Sequence, residues 1–270
     1  MEKYREIEKS IIKKYRKPIW SKFIKAIKQY ELIGKDDKIA VCISGGKDSF
    51  LLAKCMDELK RHGIFKFDLE FIVMNPGYSD EKLSQIKKNL ELLNIKAHIF
   101  KTDIFDIVSN NVENPCYMCA KMRRGYLYNE AQKLGCNKIA LGHHFDDVIE
   151  TILLNQIFNG NYSSMMPKLC SDNFKGMELI RPLYLIYEED IKNWVNYNSL
   201  EFLDCACLVT KKDIGKRIII KDLIKKLKEI HKDAANNILT ATTNVNLNTI
   251  IAYKQNDTKK TFLDNYGFKK

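Results

Sequence analysis

Four cysteines give the first indication of chemistry in this sequence. Cys116 and Cys119 lie in the stretch NPCYMCAKMRRG with the spacing C-x-x-C, and Cys205 follows 86 positions later, beside Cys207 in FLDCACLV. Two thiolates do not complete a tetrahedral zinc site, so the C-x-x-C pair either needs further ligands or has another task. Three kinds of site are open: a four-cysteine zinc site, a redox dithiol, and an iron–sulfur cluster that three cysteines hold with one iron free.

A glycine-rich loop, ISGGKDS, follows an apolar stretch and opens a helical pattern. Adjacent glycines allow a tight turn that presents N–H groups to an anion, and the helix N-terminus adds a partial positive charge. The lysine can neutralise phosphate oxygens, whereas the aspartate fits such a site only with Mg²⁺ between it and the phosphates. The spacing is not that of the Walker loop, G-x-x-x-x-G-K-[ST]. We predict that the whole loop binds a phosphate ligand: Ser44, Gly45, Gly46, Lys47, Asp48 and Ser49.

A second polar motif is LGHHFDD, which begins near Gly142. Neighbouring residues of an extended chain point in opposite directions, so at most one of His143 and His144 can face a site there. Asp146 and Asp147 begin the next helix, where carboxylates favour the positive end of the helix dipole. Between the two motifs lie Arg123 and Arg124, one turn past the C-x-x-C pair, which could offset phosphate charge or contact an RNA backbone.

The elements that must position these residues alternate between strand and helix patterns. Five apolar runs read as strands: 38–44, 68–75, 96–102, 138–144 and 177–183. Helical patterns separate them, which predicts an α/β fold with a parallel five-stranded sheet and helices on both faces. Ligands bind beyond the carboxyl ends of such strands, and the glycine loop, the C-x-x-C pair and LGHHFDD all follow strands. We therefore expect them to share one edge of the sheet.

Charge is concentrated in two flanking segments of a chain of net charge +11. Residues 1–38 hold twelve Lys and Arg against six Asp and Glu, and residues 211–232 hold nine against three. A neutral centre between basic helical flanks suits nucleic-acid binding, although solvated helix faces would look the same. We predict a helical segment at 1–34, a catalytic domain at 35–210 and a basic segment at 211–270. Residues beyond about 233 could form a short helix or a tail.

Composition also predicts a compartment. No apolar run approaches the roughly 20 residues that span a bilayer, and the charged N-terminus is unlike a secretory signal. We expect a cytoplasmic protein without membrane association, in which cysteines stay reduced. The isolated cysteines are then expected to be small buried apolar residues: Cys42, Cys55, Cys136 and Cys170.

At SGGKDS the chain resembles the PP-loop ATP pyrophosphatase superfamily, whose signature is SGGxDS. Further motifs occur in the order of the tRNA 2-thiocytidine synthetase (TtcA-like) family, over roughly residues 35–210: PCYMCAKMRRGYLY, KIALGHHFDDVIETILLNQIFNG, MMPKL, IRPL and FLDC. The resemblance implies the adenine nucleotide alpha hydrolase-like PP-loop fold. It also implies that the loop holds the pyrophosphate of ATP, with the adenine near Met74 and with Gly142 at the nucleotide.

The resemblance also implies roles for the remaining residues. Cys116, Cys119 and Cys205 would hold a [4Fe–4S] cluster. The family commonly has a proline before the distal cysteine and a C-x-x-C there, whereas this chain has Asp204 and C-x-C, so Cys207 is an alternative ligand. The residues expected to act in catalysis are Lys47, Asp48, Asp147 (in preference to Asp146) and Arg124.

The function implied is an ATP-dependent tRNA sulfurtransferase. It would adenylate the C2 oxygen of a tRNA cytidine and replace it with sulfur delivered through the cluster. Its partners would be tRNA, a sulfur donor system such as a cysteine desulfurase, and a second copy in a homodimer. The alternatives are a PP-loop ligase resembling lysidine synthetase with a structural zinc, a thiolase of another base or of a small molecule, and a non-catalytic zinc-stabilised RNA-binding module.

Overall fold

A computed structural model describes residues 2–63, 66–109, 115–203 and 211–266, without the side chains of 106, 108, 109, 115–117, 211–214 and 265. Its main sheet has six strands: β1 Lys38–Ile43, β2 Asp68–Asn75, β3 His98–Lys101, β4 Lys138–Ala140, β5 Lys168–Cys170 and β6 Glu178–Ile180. Their order is β3-β2-β1-β4-β6-β5, and every pair is parallel except β5 with β6. The five parallel strands are thus confirmed.

The predicted strand count was wrong by one, because β5 lies antiparallel at the edge of the sheet. This strand has only three residues, and the side chain of Leu169 at its centre is exposed. A strand that buries so little apolar surface leaves neither an alternating pattern nor an apolar run in the sequence.

Ten α-helices connect and cover the strands in the described ranges: α1 Lys3–Ile12, α2 Ser21–Gln29, α3 Lys47–His62, α4 Asp80–Leu92, α5 Ile104–Ser109, α6 Pro115–Lys133, α7 Phe145–Asn159, α8 Glu188–Tyr197, α9 Lys211–Ile230 and α10 Ala234–Ala241. A π-helical turn, Arg16–Trp20, joins α1 to α2. None of these helices combines the length and the apolar composition that crossing a bilayer requires.

The side chains of β1 alternate between two cores. Ile39, Val41 and Ile43 join one apolar cluster with residues of α3, α4 and α8, whereas Ala40 and Cys42 join another that includes residues of α6. Both faces of the sheet are therefore covered by helices, as predicted. A sheet buried on both faces holds the ends of its strands rigidly, which suits a site at that edge.

The first two helices pack against the sheet domain. Ile7, Ile11 and Phe23 belong to the same apolar cluster as the residues of α3. The fully buried ammonium of Lys54 on α3 lies 2.5 Å from Glu8 Oε1 on α1. A buried charge of this kind is tolerated only with a partner, so α1 is tied to the core by charge as well as by apolar contact.

The C-terminal segment continues as α9 and α10, which pack on α7, and then as a β-hairpin. The hairpin pairs β7 Ala252–Gln255 with β8 Thr258–Thr261. Asn256 and Asp257 at its turn both have positive φ, of 48° and 60°. This is the conformation of a type I′ hairpin turn, which favours Asn and Asp at these positions.

Candidate active site

The glycine loop turns sharply between β1 and α3. Gly45 has φ +95°, and a Cβ built there would lie 3.0 Å from the side chain of Ile86 and 3.1 Å from that of Leu203. Its carbonyl oxygen accepts a hydrogen bond from the Leu203 N–H at 3.2 Å. Both the conformation and the close packing therefore require glycine at this position.

The two serines of the loop fix its shape. The Ser49 hydroxyl donates to the Gly46 carbonyl oxygen at 2.8 Å and accepts from the Ser44 N–H at 3.1 Å. Gly46 is the residue before α3, whose first N–H groups have no intrahelical partner and so remain available to a ligand. The loop thus has the open N–H groups and the helix N-terminus that bind phosphates in other proteins.

Lys47 is held in place by two carboxylates. Its Nζ lies 3.2 Å from Asp48 Oδ1 and 3.1 Å from Oε1 of Glu188, the first residue of α8. Burial alone would raise the pKa of Glu188, but the hydrogen bonds and charges of Lys192 and Lys47 lower it to about 2. Glu188 therefore stays ionised and orients the lysine, a role that was not predicted from the sequence.

Asp48 presents an unsatisfied oxygen. Its Oδ1 is buried and makes no hydrogen bond, although it lies only 3.2 Å from Lys47 Nζ. His144 Nε2 lies 3.9 Å from the same oxygen and 3.5 Å from Asp147 Oδ2. A buried carboxylate oxygen without a hydrogen bond suits a hard cation such as Mg²⁺, whose other ligands would be water and phosphate oxygens. Within the described side chains, no three His, Cys, Asp or Glu converge into a preformed metal site.

The two aspartates at the start of α7 have different surroundings. Asp147 lines the cleft described below, and its Oδ2 accepts a hydrogen bond from the His144 N–H at 3.0 Å. Asp146 turns to α8, where its Oδ2 accepts from the Glu188 N–H at 2.7 Å. The structure thus places Asp147, rather than Asp146, at the site.

The two histidines also differ. His143 lines the cleft, its Nδ1 has no hydrogen-bond partner, and burial lowers its pKa to about 4. His144 is 5% exposed and lies among Asp48, Asp146 and Asp147, at 3.5 to 3.9 Å from their oxygens. One imidazole therefore faces the cleft, and the other packs behind it among carboxylates.

A cleft of about 550 Å³ at the carboxyl edge of the sheet joins these elements. Seven of the predicted residues line it: Ser44, Asp48, Ser49, Met74, Arg124, Gly142 and Asp147. Gly45, Gly46 and Lys47 belong to the adjoining loop and do not line it. Other lining residues were not predicted as site residues, among them Cys42, Tyr78, Met165, Arg181 and Arg217. Arg181 belongs to the IRPL motif, so the sequence held a signal for it.

Of the predicted cluster ligands, the structure describes the side chain of Cys119 alone. Cys119 is 7% exposed and belongs to an apolar cluster with Met74, which also lines the cleft. The side chain of Cys116 and the whole of Cys205 and Cys207 lie outside the described residues, so the predicted ligand set stays a prediction. Backbone positions put Cys116 and Cys119 three residues apart on α6, on one helix face.

The isolated cysteines follow the prediction with one exception. Burial raises the pKa of Cys42 and of Cys55, and it raises the pKa of Cys136 to about 11. Cys170 is exposed on the edge strand β5, so its prediction as a buried residue was wrong. The short antiparallel strand has solvent on one side, which explains the difference.

Comparison with known proteins gives the family. A family model described as a PP-loop domain matches residues 17–227. The tRNA-cytidine(32) 2-sulfurtransferase of Citrifermentans bemidjiense is 36% identical over 225 residues, which cover 82% of this chain and 88% of that protein. The protein of the same name from Geobacter metallireducens is 36% identical over 236 residues, covering 86% and 91%.

Among solved structures, the chain is similar to the U34-tRNA thiolase NcsA from Methanococcus maripaludis with its [4Fe-4S] cluster. The TM-score is 0.67 at 22% identity, with 83% of this chain and 77% of that chain covered. This likeness concerns the fold, which agrees with the predicted PP-loop architecture. The family resemblance inferred from the motifs is confirmed. The chain belongs to the PP-loop family, in the group of the tRNA-cytidine(32) 2-sulfurtransferases.

Proposed function

We propose that this enzyme uses ATP to activate the C2 oxygen of a tRNA cytidine and exchanges that oxygen for sulfur. The observation that carries the proposal is the cleft at the carboxyl edge of the sheet. It joins the glycine loop, Asp48 and Asp147 to the helix that bears Cys116 and Cys119. The relatives named above supply the substrate class, a cytidine in tRNA.

ATP would bind with its pyrophosphate on the loop from Ser44 to Ser49. The N–H groups at the start of α3 would donate to phosphate oxygens, and Lys47 would neutralise them from the position in which Glu188 holds it. Mg²⁺ would lie between the phosphates and Asp48, whose Oδ1 lacks a hydrogen bond, with Asp147 on the same side of the cleft.

Activation by ATP solves a leaving-group problem. The C2 oxygen of the cytidine attacks the α-phosphorus, the bond to the bridging oxygen breaks, and pyrophosphate leaves. A sulfur nucleophile then adds at C2, the C2–O bond breaks with its electron pair going to oxygen, and AMP leaves. Without adenylation the departing group would be an oxide or hydroxide. Arg124, which lines the cleft, would offset the charge that develops on the α-phosphate.

A [4Fe–4S] cluster fits the donor set of Cys116, Cys119 and Cys205, with Cys207 as the alternative third ligand. Thiolates are the usual ligands of such clusters, and Cys119 lies in an apolar environment that touches the cleft through Met74. When bound through three cysteines, the cluster supplies one iron with a free position for a sulfur ligand. The protein's own contribution is to hold the thiolates beside the activated base.

The partners of the reaction are also proposals. The basic segments 1–34 and 211–270 would contact tRNA phosphates around the catalytic domain 35–210, which makes binding sensitive to salt. A cysteine desulfurase or similar system would supply sulfur in the cytoplasm, and the enzyme would act as a homodimer.

The proposal is tested by mass spectrometry of tRNA nucleosides from a deletion strain complemented with variants. We expect 2-thiocytidine to disappear in the deletion strain and to return with the wild-type chain. Cys116→Ala should abolish the thiolated nucleoside while ATP binding stays measurable. Cys170→Ala, which alters an exposed cysteine away from the cleft, is the matched control and should restore it.

Metal analysis of anaerobically purified protein is the second part of the test. Brown protein with iron and acid-labile sulfide supports the cluster. Colourless protein with stoichiometric zinc would contradict the cluster and favour a ligase of the lysidine synthetase kind. A deletion strain that lacks no thiolated nucleoside would contradict the reaction itself.

A further inference from the structure

Arg181, the first residue after β6, lies on the wall of the cleft. Its N–H donates to the Pro167 carbonyl oxygen at 2.9 Å, and its Nη1 donates to the carbonyl oxygen of Met166. These bonds fasten the MMP segment before β5. They use only part of the guanidinium, because Nε is buried and has no hydrogen-bond partner.

The described residues offer Arg181 no paired anion, although the charge of Asp147 acts on it from beyond ion-pair distance. The residue is 8% exposed, and among the described residues no carboxylate oxygen lies close enough to form an ion pair with its guanidinium. Burial, reinforced by the positive charge of Arg124, lowers its pKa to about 10 despite the opposing effects of Tyr184, Tyr128 and Asp147. The group is still cationic at neutral pH. A buried cation without a paired anion is costly, and the more distant charge of Asp147 leaves the N–H of Nε without an acceptor, which indicates a missing partner.

Arg123 on α6 also lacks hydrogen-bond partners for part of its guanidinium. Its Nε and Nη2 are buried without hydrogen-bond partners, and its guanidinium carbon lies 5.6 Å from the ring centroid of Phe105. No described carboxylate pairs with it either. Arg124, the next residue, lines the same cleft from an exposed position. By contrast, Lys47 at the loop is paired with Glu188, and Arg217 lies 4.0 Å from Asp147.

We propose that Arg123, Arg124 and Arg181 form a second phosphate-binding site in the cleft, separate from the glycine loop. The planar guanidinium donates in a fork that matches phosphate oxygens, so a phosphate would satisfy the free N–H groups and the charge together. In the sheet, β4 separates β6 from β1, which puts the end of β6 about 10 Å from the start of the loop.

Two sources could supply this phosphate. One is a phosphodiester of the substrate RNA next to the nucleotide in the cleft, and the other is the α-phosphate of ATP. In the first case the site would fix the RNA strand while the loop holds ATP. This inference rests on the proposed function for the identity of both ligands, but its test uses binding and not thiolation.

The test measures the affinities for tRNA and for Mg²⁺–ATP separately, on the full chain purified without oxygen. Arg123→Gln removes one charge and no hydrogen bond between protein groups that the structure describes. Arg181→Lys keeps the charge and removes the fork. Lys133→Gln is the control, because it removes a charge on α6 at a lysine that pairs with Glu130 outside the cleft.

If the phosphate belongs to RNA, each arginine variant should weaken tRNA binding by about tenfold or more and leave ATP binding unchanged. Arg123→Gln should also lower the slope of log Kd against log salt by about one, whereas Arg181→Lys should leave the slope as it is. If the phosphate belongs to ATP, the ATP affinity should fall and the tRNA affinity should not.

The inference is overturned if both variants keep both affinities within about twofold of the control. Arg181 also fastens the MMP segment, so a variant of it that fails to fold leaves Arg123→Gln to decide. A protein that binds both ligands as described and yet leaves cytidine unmodified would contradict the proposed reaction and retain the second phosphate site.

Discussion

At the scale of single residues, neighbouring side chains of one type have different tasks. Asp147 lines the cleft, whereas Asp146 accepts the N–H of Glu188 and fixes the start of α8. The family resemblance favoured Asp147, but two adjacent aspartates contain no physical reason for this division. It arises because two consecutive residues at the start of a helix point to different neighbours, one toward the sheet edge and one toward α8.

Exchanging each aspartate for asparagine separates these tasks. We expect Asp147→Asn to lower ATP-dependent pyrophosphate release in the presence of tRNA by roughly 100-fold with little change in Tm, because it removes a charge from the cleft in which we propose that the phosphates react. Asp146→Asn should retain most of the activity, since an amide oxygen still accepts the Glu188 N–H. Steady-state rates and thermal melting check both. Equal losses of activity would contradict the assignment.

The site residues that were not predicted share one property: their position at the site follows from contacts between distant parts of the chain. Glu188 matters because it lies 3.1 Å from Lys47 Nζ, although 141 positions separate the two in the chain. Arg181 was visible in IRPL, but only the structure shows its unpartnered Nε on the cleft wall. Gly45 and Lys47, in contrast, belong to a contiguous motif, so they could be predicted from the sequence alone.

At the scale of elements, the start of the LGHHFDD motif packs closely against the end of the glycine loop. A Cβ at Gly142 would lie 3.1 Å from the Asp48 carbonyl carbon and 3.1 Å from the Ser49 nitrogen, both in the backbone of the first turn of α3. Backbone atoms cannot rotate away as a side chain does. The end of the fourth strand thus approaches the glycine loop closely because glycine follows the strand.

Gly142→Ala should therefore displace the start of α3 and weaken ATP binding by about tenfold, with a smaller effect on stability. Gly125→Ala is the matched control, because a Cβ there meets nothing within 4 Å and the position lies inside α6. It should leave ATP binding unchanged and raise stability by about 0.5–1 kcal/mol. Calorimetric titration and chemical denaturation measure both; equal ATP affinities in the two variants would contradict the expected displacement.

Element prediction worked where burial was strong. The apolar runs of β1 and β2 gave their positions nearly to the residue, because both faces of these strands are covered. The edge strand β5 and the terminal hairpin were missed, since each exposes much of its surface. In the hairpin, the turn residues Asn256 and Asp257 were the available signal.

At the scale of the whole molecule, the N-terminal helices are part of the fold and also carry much of the basic charge. The ion pair of Lys54 with Glu8 joins α1 to α3 inside the protein, and Trp194 Nε1 of α8 donates to Ser10 Oγ at 3.1 Å. A tRNA that binds to this segment would therefore contact a surface that is fixed to the rest of the fold.

Lys54→Met tests this connection. It leaves Glu8 in the interior with only Arg61 beside it, at 3.0 Å, and we expect the free energy of unfolding to fall by about 3 kcal/mol. The double variant Glu8→Leu/Lys54→Met removes both charges and should recover much of this loss. Urea denaturation gives the values. A single variant as stable as the wild type would show that the pair does not hold α1 in place.

The burial of three cysteines in the sheet domain also affects how readily the protein is oxidised. Cys42, Cys55 and Cys136 remain thiols at neutral pH, because burial raises their pKa. Oxidants and alkylating agents attack thiolates, so these three positions resist damage. An enzyme that handles reactive sulfur thus keeps these three cysteines as unreactive thiols, and peroxide should leave the sheet around them intact.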